Sequence, residues 1–114
     1  MSIYEKIEAL LSSLFDNYYH SMPDFGEGQE PERYAVYTVI HKPEHFVSGK
    51  KTADSYFVSL SIFTPRLDTE LYDKVEEAFT NDGFIFQQGR SLDFMNDYPQ
   101  KNQYSMDFII SIDV

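Results

Sequence analysis

The spacing of apolar residues changes once in the middle of the chain, and this change constrains the fold most strongly. From Tyr56 to Phe63 the side chains alternate between two faces, as in a half-buried strand. From Leu67 to Phe79 apolar residues recur at steps of three and four, which is typical of one side of a helix. Residues 54–86 therefore predict a strand at 55–63, a helix at about 68–80 and a second strand at 84–87, on which the rest of the chain packs.

Helix-capping residues support this interpretation. Asp68 is the expected N-cap of the central helix, and Gly83 suits the left-handed position after its end. At the start of the chain, Ser2 and Glu5 form a capping-box pattern, which predicts a first helix to about residue 15.

The flanking segments predict further strands. Residues 18–20 suit a short strand, residues 24–32 a loop, and residues 33–40 a strand that is apolar on both faces. Two apolar faces indicate a central strand or one that another subunit covers. Residues 104–114 alternate most cleanly of all. With 114 residues the chain suits one domain, and the element order predicts an α+β fold: a mainly antiparallel sheet of four to five strands with two helices packed on one face.

Two segments are expected to be irregular, residues 41–52 and residues 87–102. The first contains Pro43 and is too long for a tight hairpin turn, so it is interpreted as a mobile loop. His41 and His45 have the spacing of a helical metal pair, but Pro43 separates them and no third ligand is placed by spacing. We therefore expect no metal site.

Charge and composition exclude several function classes. The chain has 9 basic and 19 acidic residues and a net charge of -10, which disfavours nucleic acid and anionic membranes as partners. It contains no cysteine, no uninterrupted apolar run of membrane-spanning length and no secretion signal at its start. We expect a soluble protein that is made and kept in a cytoplasm.

No catalytic signature interrupts the pattern. The sequence lacks a nucleophile elbow and a phosphate-binding loop, and the pair Asp93 and Asp97 has a spacing too common to indicate acid–base chemistry. The expectation is a protein that is not an enzyme and needs no cofactor.

Separated charge and apolar loop residues predict self-assembly instead. Basic residues concentrate in the first irregular segment, acids in the loop before the first long strand, and apolar residues in the second irregular segment. The predicted interface residues are Lys42, Lys50, Lys51, Glu27, Glu30, Glu32, Phe94, Met95 and Tyr98. Such copies could dock head to tail and close into a ring. The alternative is a small acidic binding module or inhibitor that presents Glu70, Asp73, Glu76 and Glu77 to a basic partner.

Five features occur in order along the chain: the short opening helix, the strand entry PERYAVY at 31–37, YFVSLSIF at 56–63 leading into LYDKVEEAF at 71–79, Gly83-Phe84, and YSMDF at 104–108. In this order of motifs, across nearly its whole length, the chain resembles the small tail-completion and tail-terminator proteins of the phage head-to-tail junction. The resemblance implies an α+β subunit that assembles, often as a ring, to cap or join a tail tube. It also implies other tail or connector proteins as partners, location in the host cytoplasm or the virion, and neither catalysis nor a cofactor.

Overall fold

The computed structural model describes residues 2–26, 28–47, 50–93 and 102–113, with the backbone alone for residues 42–47, 50–53, 92, 93 and 113. This part of the chain forms one five-stranded sheet and two helices. In chain order the elements are α1 (Ile3–Ser12), β1 (Tyr18–His20), β2 (Tyr34–Val47), β3 (Lys50–Thr64), α2 (Thr69–Asn81), β4 (Ile85–Asp93) and β5 (Asn102–Asp113).

The sheet has the strand order β1-β2-β3-β5-β4. β1 pairs with β2 in parallel, and the other three pairings are antiparallel. Because β3 and β4 are each antiparallel to β5, they run in the same direction, and α2 connects them across the inserted β5. The predicted α+β class, with a mainly antiparallel sheet, is confirmed.

The predicted helix ends are confirmed at three positions. The backbone N–H of Glu5 donates to Ser2 Oγ at 3.1 Å, and that of Leu71 donates to Asp68 Oδ1 at 3.1 Å. Gly83 has a φ of +99°, which glycine adopts without a Cβ penalty. α1 ends at Ser12 rather than near Phe15, because a tighter turn follows in which Leu14 N–H donates to the Leu11 carbonyl at 3.0 Å.

The core lies between the helices and one face of the sheet. The alternation predicted for β3 is confirmed, since Val58, Leu60 and Ile62 point into this core and are almost fully buried. The helices contribute one apolar stripe each, and the neighbouring strands contribute the remainder. The buried members outside β3 are Ile3, Ile7, Leu11, Phe15, Ala35, Tyr37, Leu71, Tyr72, Val75, Phe79, Phe84, Met106, Phe108 and Ile110.

The prediction of a mobile loop at residues 41–52 is wrong. β2 continues to Val47 and β3 begins at Lys50, with Pro43 paired to Asp54 in the ladder. Proline is accepted here because β1 borders only the start of β2, so Pro43 lies on a stretch of β2 without an outer neighbour among the described strands. The N–H of Ala35 and the carbonyl of Tyr37 form hydrogen bonds on the β1 side of β2. Pro43 is also an odd-numbered residue of this strand, so its backbone groups point to the same side. Its nitrogen therefore faces outward, where no ladder bond is lost.

The prediction of an irregular segment at residues 87–102 is also wrong in part. β4 extends to Asp93 and pairs with β5, which begins at Asn102. The pairing shifts register between Phe86 and Gln88. The bulge interrupts the alternation of side chains between the two faces just after Phe86. The predicted strand therefore ends at residue 87, although β4 continues to Asp93.

Candidate protein-docking site

Four apolar side chains form a continuous row across the sheet face opposite the helices. Ile40 on β2 pairs with Phe57 on β3, Phe57 pairs with Ile109 on β5, and Ile109 pairs with Ile85 on β4. Direct cross-strand partners point to the same face, so these four side chains lie side by side. We call them the apolar row, and we call the sheet face that carries them the open face.

The apolar row is solvent-exposed. The exposed fractions are 66% for Ile40, 60% for Ile85 and 43% for Phe57, and Ile109 is partly exposed. Single exposed apolar residues are ordinary on protein surfaces, but contiguous ones mark interaction sites. The apolar row is therefore the strongest binding feature in the described part of the chain.

Polar side chains border the apolar row on both sides. On one side Thr38, Ser59, Gln88 and Asp107 form the next line across the sheet, and with Ile40 and Phe57 they line a shallow groove. On the other side Ser55 Oγ and Ser111 Oγ lie 3.0 Å apart. An apolar strip with a polar border is the common composition of a protein–protein interface.

The far end of the open face is covered by the chain itself. Phe25, from the loop between β1 and β2, packs edge-on against Tyr19 and Tyr34, and Tyr34 stacks on Phe63 with ring centroids 4.6 Å apart. Together with Val36 these residues form a second, smaller core. Among the described residues, the end that carries the apolar row has no such cover.

Charge is distributed unevenly between the two faces. Among the described side chains of the open face, Asp107 and Arg90 are the charged ones, and the Asp107 carboxylate accepts a 2.7 Å hydrogen bond from Gln88. The helices carry the acids on the other side of the molecule, where Glu5, Glu70, Asp73, Glu77 and Asp82 are exposed. The described side chains of the open face thus carry no net charge in a strongly acidic chain.

The interface residues predicted from the sequence are only partly described. Glu27, Phe94, Met95 and Tyr98 lie outside the described residues, as does Asp97. Lys42, Lys50 and Lys51 lie on β2 and β3, but their side chains are outside the described part. Their role in an interface stays a prediction.

The two remaining predicted residues are exposed, and one has an internal partner. The Tyr34 hydroxyl donates to Glu30 Oε1 at 2.6 Å. Burial first, and then this hydrogen bond to a carboxylate, raises the pKa of the Tyr34 phenol far above its usual value, so it remains a donor. Glu30 therefore anchors the loop at residues 24–32 to β2, while Glu32 is exposed on the same loop.

His41 is not a solvated loop residue. Its ring stacks on Tyr56 with centroids 4.8 Å apart, and its Nε2 lies 2.9 Å from Asp54 Oδ1. His20, on β1, stacks on Tyr37. Among the described side chains no three carboxylate or imidazole groups converge in a way that could hold a metal ion. In the same described region, neither helix is long and apolar enough to cross a bilayer.

Sequence reasoning missed the apolar row. Ile40, Phe57, Ile85 and Ile109 are distant in sequence, and the cross-strand register alone makes them neighbours. The available signal was the apolar character of both faces of β2, which indicated a surface that another subunit could cover.

No family model matches the chain, and no curated protein matches it significantly.

Proposed function

We propose that this protein is a structural subunit of a phage or prophage head-to-tail junction that works by self-assembly and docking to other virion proteins. The apolar row supports the part of the proposal that concerns protein contacts, in self-assembly and in docking. The resemblance of the motifs at 31–37, 56–63, 71–79 and 104–108 to tail-completion proteins carries the assignment to the junction. In this role the chain acts without a catalytic group or a cofactor.

Energetics favour a covered apolar row. Burying an exposed aliphatic or aromatic side chain completely contributes about 1.5–3 kcal/mol. Ile40, Phe57 and Ile85 retain much of that contribution for a partner, because roughly half or more of each side chain is exposed. The row crosses four adjacent strands of a rigid sheet, so little conformational entropy is lost when a partner binds.

Replacing Ile85 with glutamate in the encoding phage or prophage should prevent the joining of heads and tails. A carboxylate in the apolar row would have to lose its hydration when the partner binds, which is costly. Electron microscopy of the particles should then show separate heads and tails. Circular dichroism of the purified variant checks that the fold is retained, as expected for a side chain that is 60% exposed.

Leu67→Glu is the matched control for this experiment. Leu67 is 59% exposed, nearly the same as Ile85, but lies between β3 and α2, away from the apolar row. Particles with Leu67→Glu should be joined normally. Normal particles from a folded Ile85→Glu variant would contradict the proposal.

The acidic binding module remains the second candidate because α2 presents a strongly acidic surface. Glu70, Asp73 and Glu77 are exposed and Glu76 is partly exposed, whereas Lys74 lies 3.6 Å from Glu70. A basic partner could bind this surface without using the open face.

Changing Glu70, Asp73, Glu76 and Glu77 together to lysine should leave particle assembly unchanged, because the four side chains lie on the opposite side of the sheet from the apolar row. The measurement is the same count of joined particles by electron microscopy. Loss of joined particles from a folded quadruple variant would favour the acidic surface as the functional one.

A further inference from the structure

We infer that the open face binds the open face of a second copy of this chain, so that two sheets pack face to face in a symmetric pair. This inference rests on the proposed function, because it names the partner and the symmetry of one self-assembly contact. It differs from the head-to-tail contact expected from the sequence, since here the same surface is used by both copies.

The charge distribution identifies a second copy as the occupant. Two chains of net charge -10 repel each other unless they meet where each is nearly neutral. The described part of the open face has one carboxylate and one guanidinium, Asp107 and Arg90. Face-to-face packing places the acidic helices on the two outer sides of a four-layer sandwich, as far apart as the structure allows. A basic partner would instead favour the helix side.

The apolar row is self-complementary. A two-fold axis that runs along the row sets each side chain opposite its own copy. An axis that runs along the strands through the middle of the row sets Ile40 opposite Ile85 and Phe57 opposite Ile109. In both arrangements apolar side chains meet apolar side chains, and the Asp107 carboxylate lies opposite a serine hydroxyl, that of Ser111 in the first arrangement and that of Ser59 in the second.

The size of the open face predicts a weak pair. Four strands at a spacing of about 4.8 Å and roughly eight residues of each strand give about 500 Å² per copy. Two copies would bury about 1,000 Å², which is near the lower limit for a specific interface. The pair should therefore dissociate on dilution.

Ile109→Cys tests the symmetric contact, because the chain has no cysteine of its own. Sheets that pack face to face lie about 10 Å apart, so the Cα atoms of the two introduced cysteines would be about 10–11 Å apart in either arrangement, and their thiols would be closer. A bismaleimide with a span of about 10 Å should link the purified protein into dimers at high concentration. Glu77→Cys, on the exposed side of α2, is the control and should give few dimers.

A second substitution in the Ile109→Cys protein shows whether the apolar row carries the contact. Phe57→Glu should lower the yield of linked dimer at least tenfold, while Leu67→Glu should leave it unchanged. Circular dichroism confirms that each protein is folded. Equal yields from Phe57→Glu and Leu67→Glu would overturn the inference.

Light scattering distinguishes failure of the inference from failure of the proposed function. Wild-type oligomers without linkage at Ile109→Cys would overturn the face-to-face contact and leave self-assembly intact. A protein that remains monomeric at high concentration would also overturn the inference, and the proposed function would then depend on the particle experiment with Ile85→Glu.

Discussion

Replacing Phe108 with alanine should lower the free energy of unfolding by about 3–5 kcal/mol, the range for removal of a buried aromatic ring. Phe108 is 1% exposed and lies where β4, β5 and α2 meet. Its ring centroid is 4.9 Å from that of Phe79, 5.6 Å from Phe86 and 6.2 Å from Phe84. No single neighbouring ring can fill the resulting cavity without leaving its own place, because Phe79 belongs to α2, Phe86 to β4 and Phe84 to the turn between them. Urea unfolding measures the change.

Ile109→Ala is the matched control because Ile109 is the next residue on β5 and points to the open face. It removes a partly exposed side chain, so the expected loss is below about 1 kcal/mol when measured at a dilution that favours monomer. Equal destabilisation by the two substitutions would contradict the assignment of the two faces.

This contrast separates stability from docking along one strand. Residues of one parity on β5, such as Met106, Phe108 and Ile110, are buried against the helices. Residues of the other parity, such as Asp107 and Ile109, face the side that we propose binds a partner. Substitutions at the second set should therefore change assembly while the fold is retained.

Local signals explain which parts of the fold could be predicted from the sequence. The N-cap residues Ser2 and Asp68 act on backbone groups three positions away, and Gly83 acts through its own φ angle. The alternation on β3 is also local. Each of these features depends on a few adjacent residues, so the helices and the alternating strands could be predicted correctly.

Non-local pairing explains the rest. The sequence predicts a loop at Pro43 because it does not show that β1 ends early and leaves this part of β2 at an edge. The apolar row depends on a register that joins β2, β3, β5 and β4, which no spacing within one segment encodes. The sequence predicts a protein interface, which stays a prediction, and it does not indicate the position of the apolar row.

Gly89→Ala should also destabilise the protein strongly, by about 1–3 kcal/mol, because the added methyl group would overpack the β4 side of the core. A Cβ at Gly89 would lie 3.0 Å from Tyr104 Cζ and 3.2 Å from Phe86 Cζ. The Tyr104 ring cannot move away easily, because it stacks on Tyr72 of α2 with centroids 4.3 Å apart and an interplanar angle of 7°. Urea unfolding measures the loss, and near-ultraviolet circular dichroism reports on the tyrosine stack.

The effect of Gly89→Ala on the unfolded state alone would raise the free energy of unfolding rather than lower it. Glycine to alanine usually stabilises a protein by about 0.4–1 kcal/mol when the native backbone accepts a Cβ, since the unfolded state loses freedom. Gly26→Ala is the control for this unfolded-state effect, because the nearest atom to a Cβ at Gly26 would be Cδ of the flexible Gln29 side chain, 3.4 Å away. We expect Gly26→Ala to be neutral or slightly stabilising. If Gly89→Ala behaved in the same way, the Tyr104 ring would have to leave Tyr72 without cost, and the packing of α2 on β5 would be looser than the stacked rings indicate.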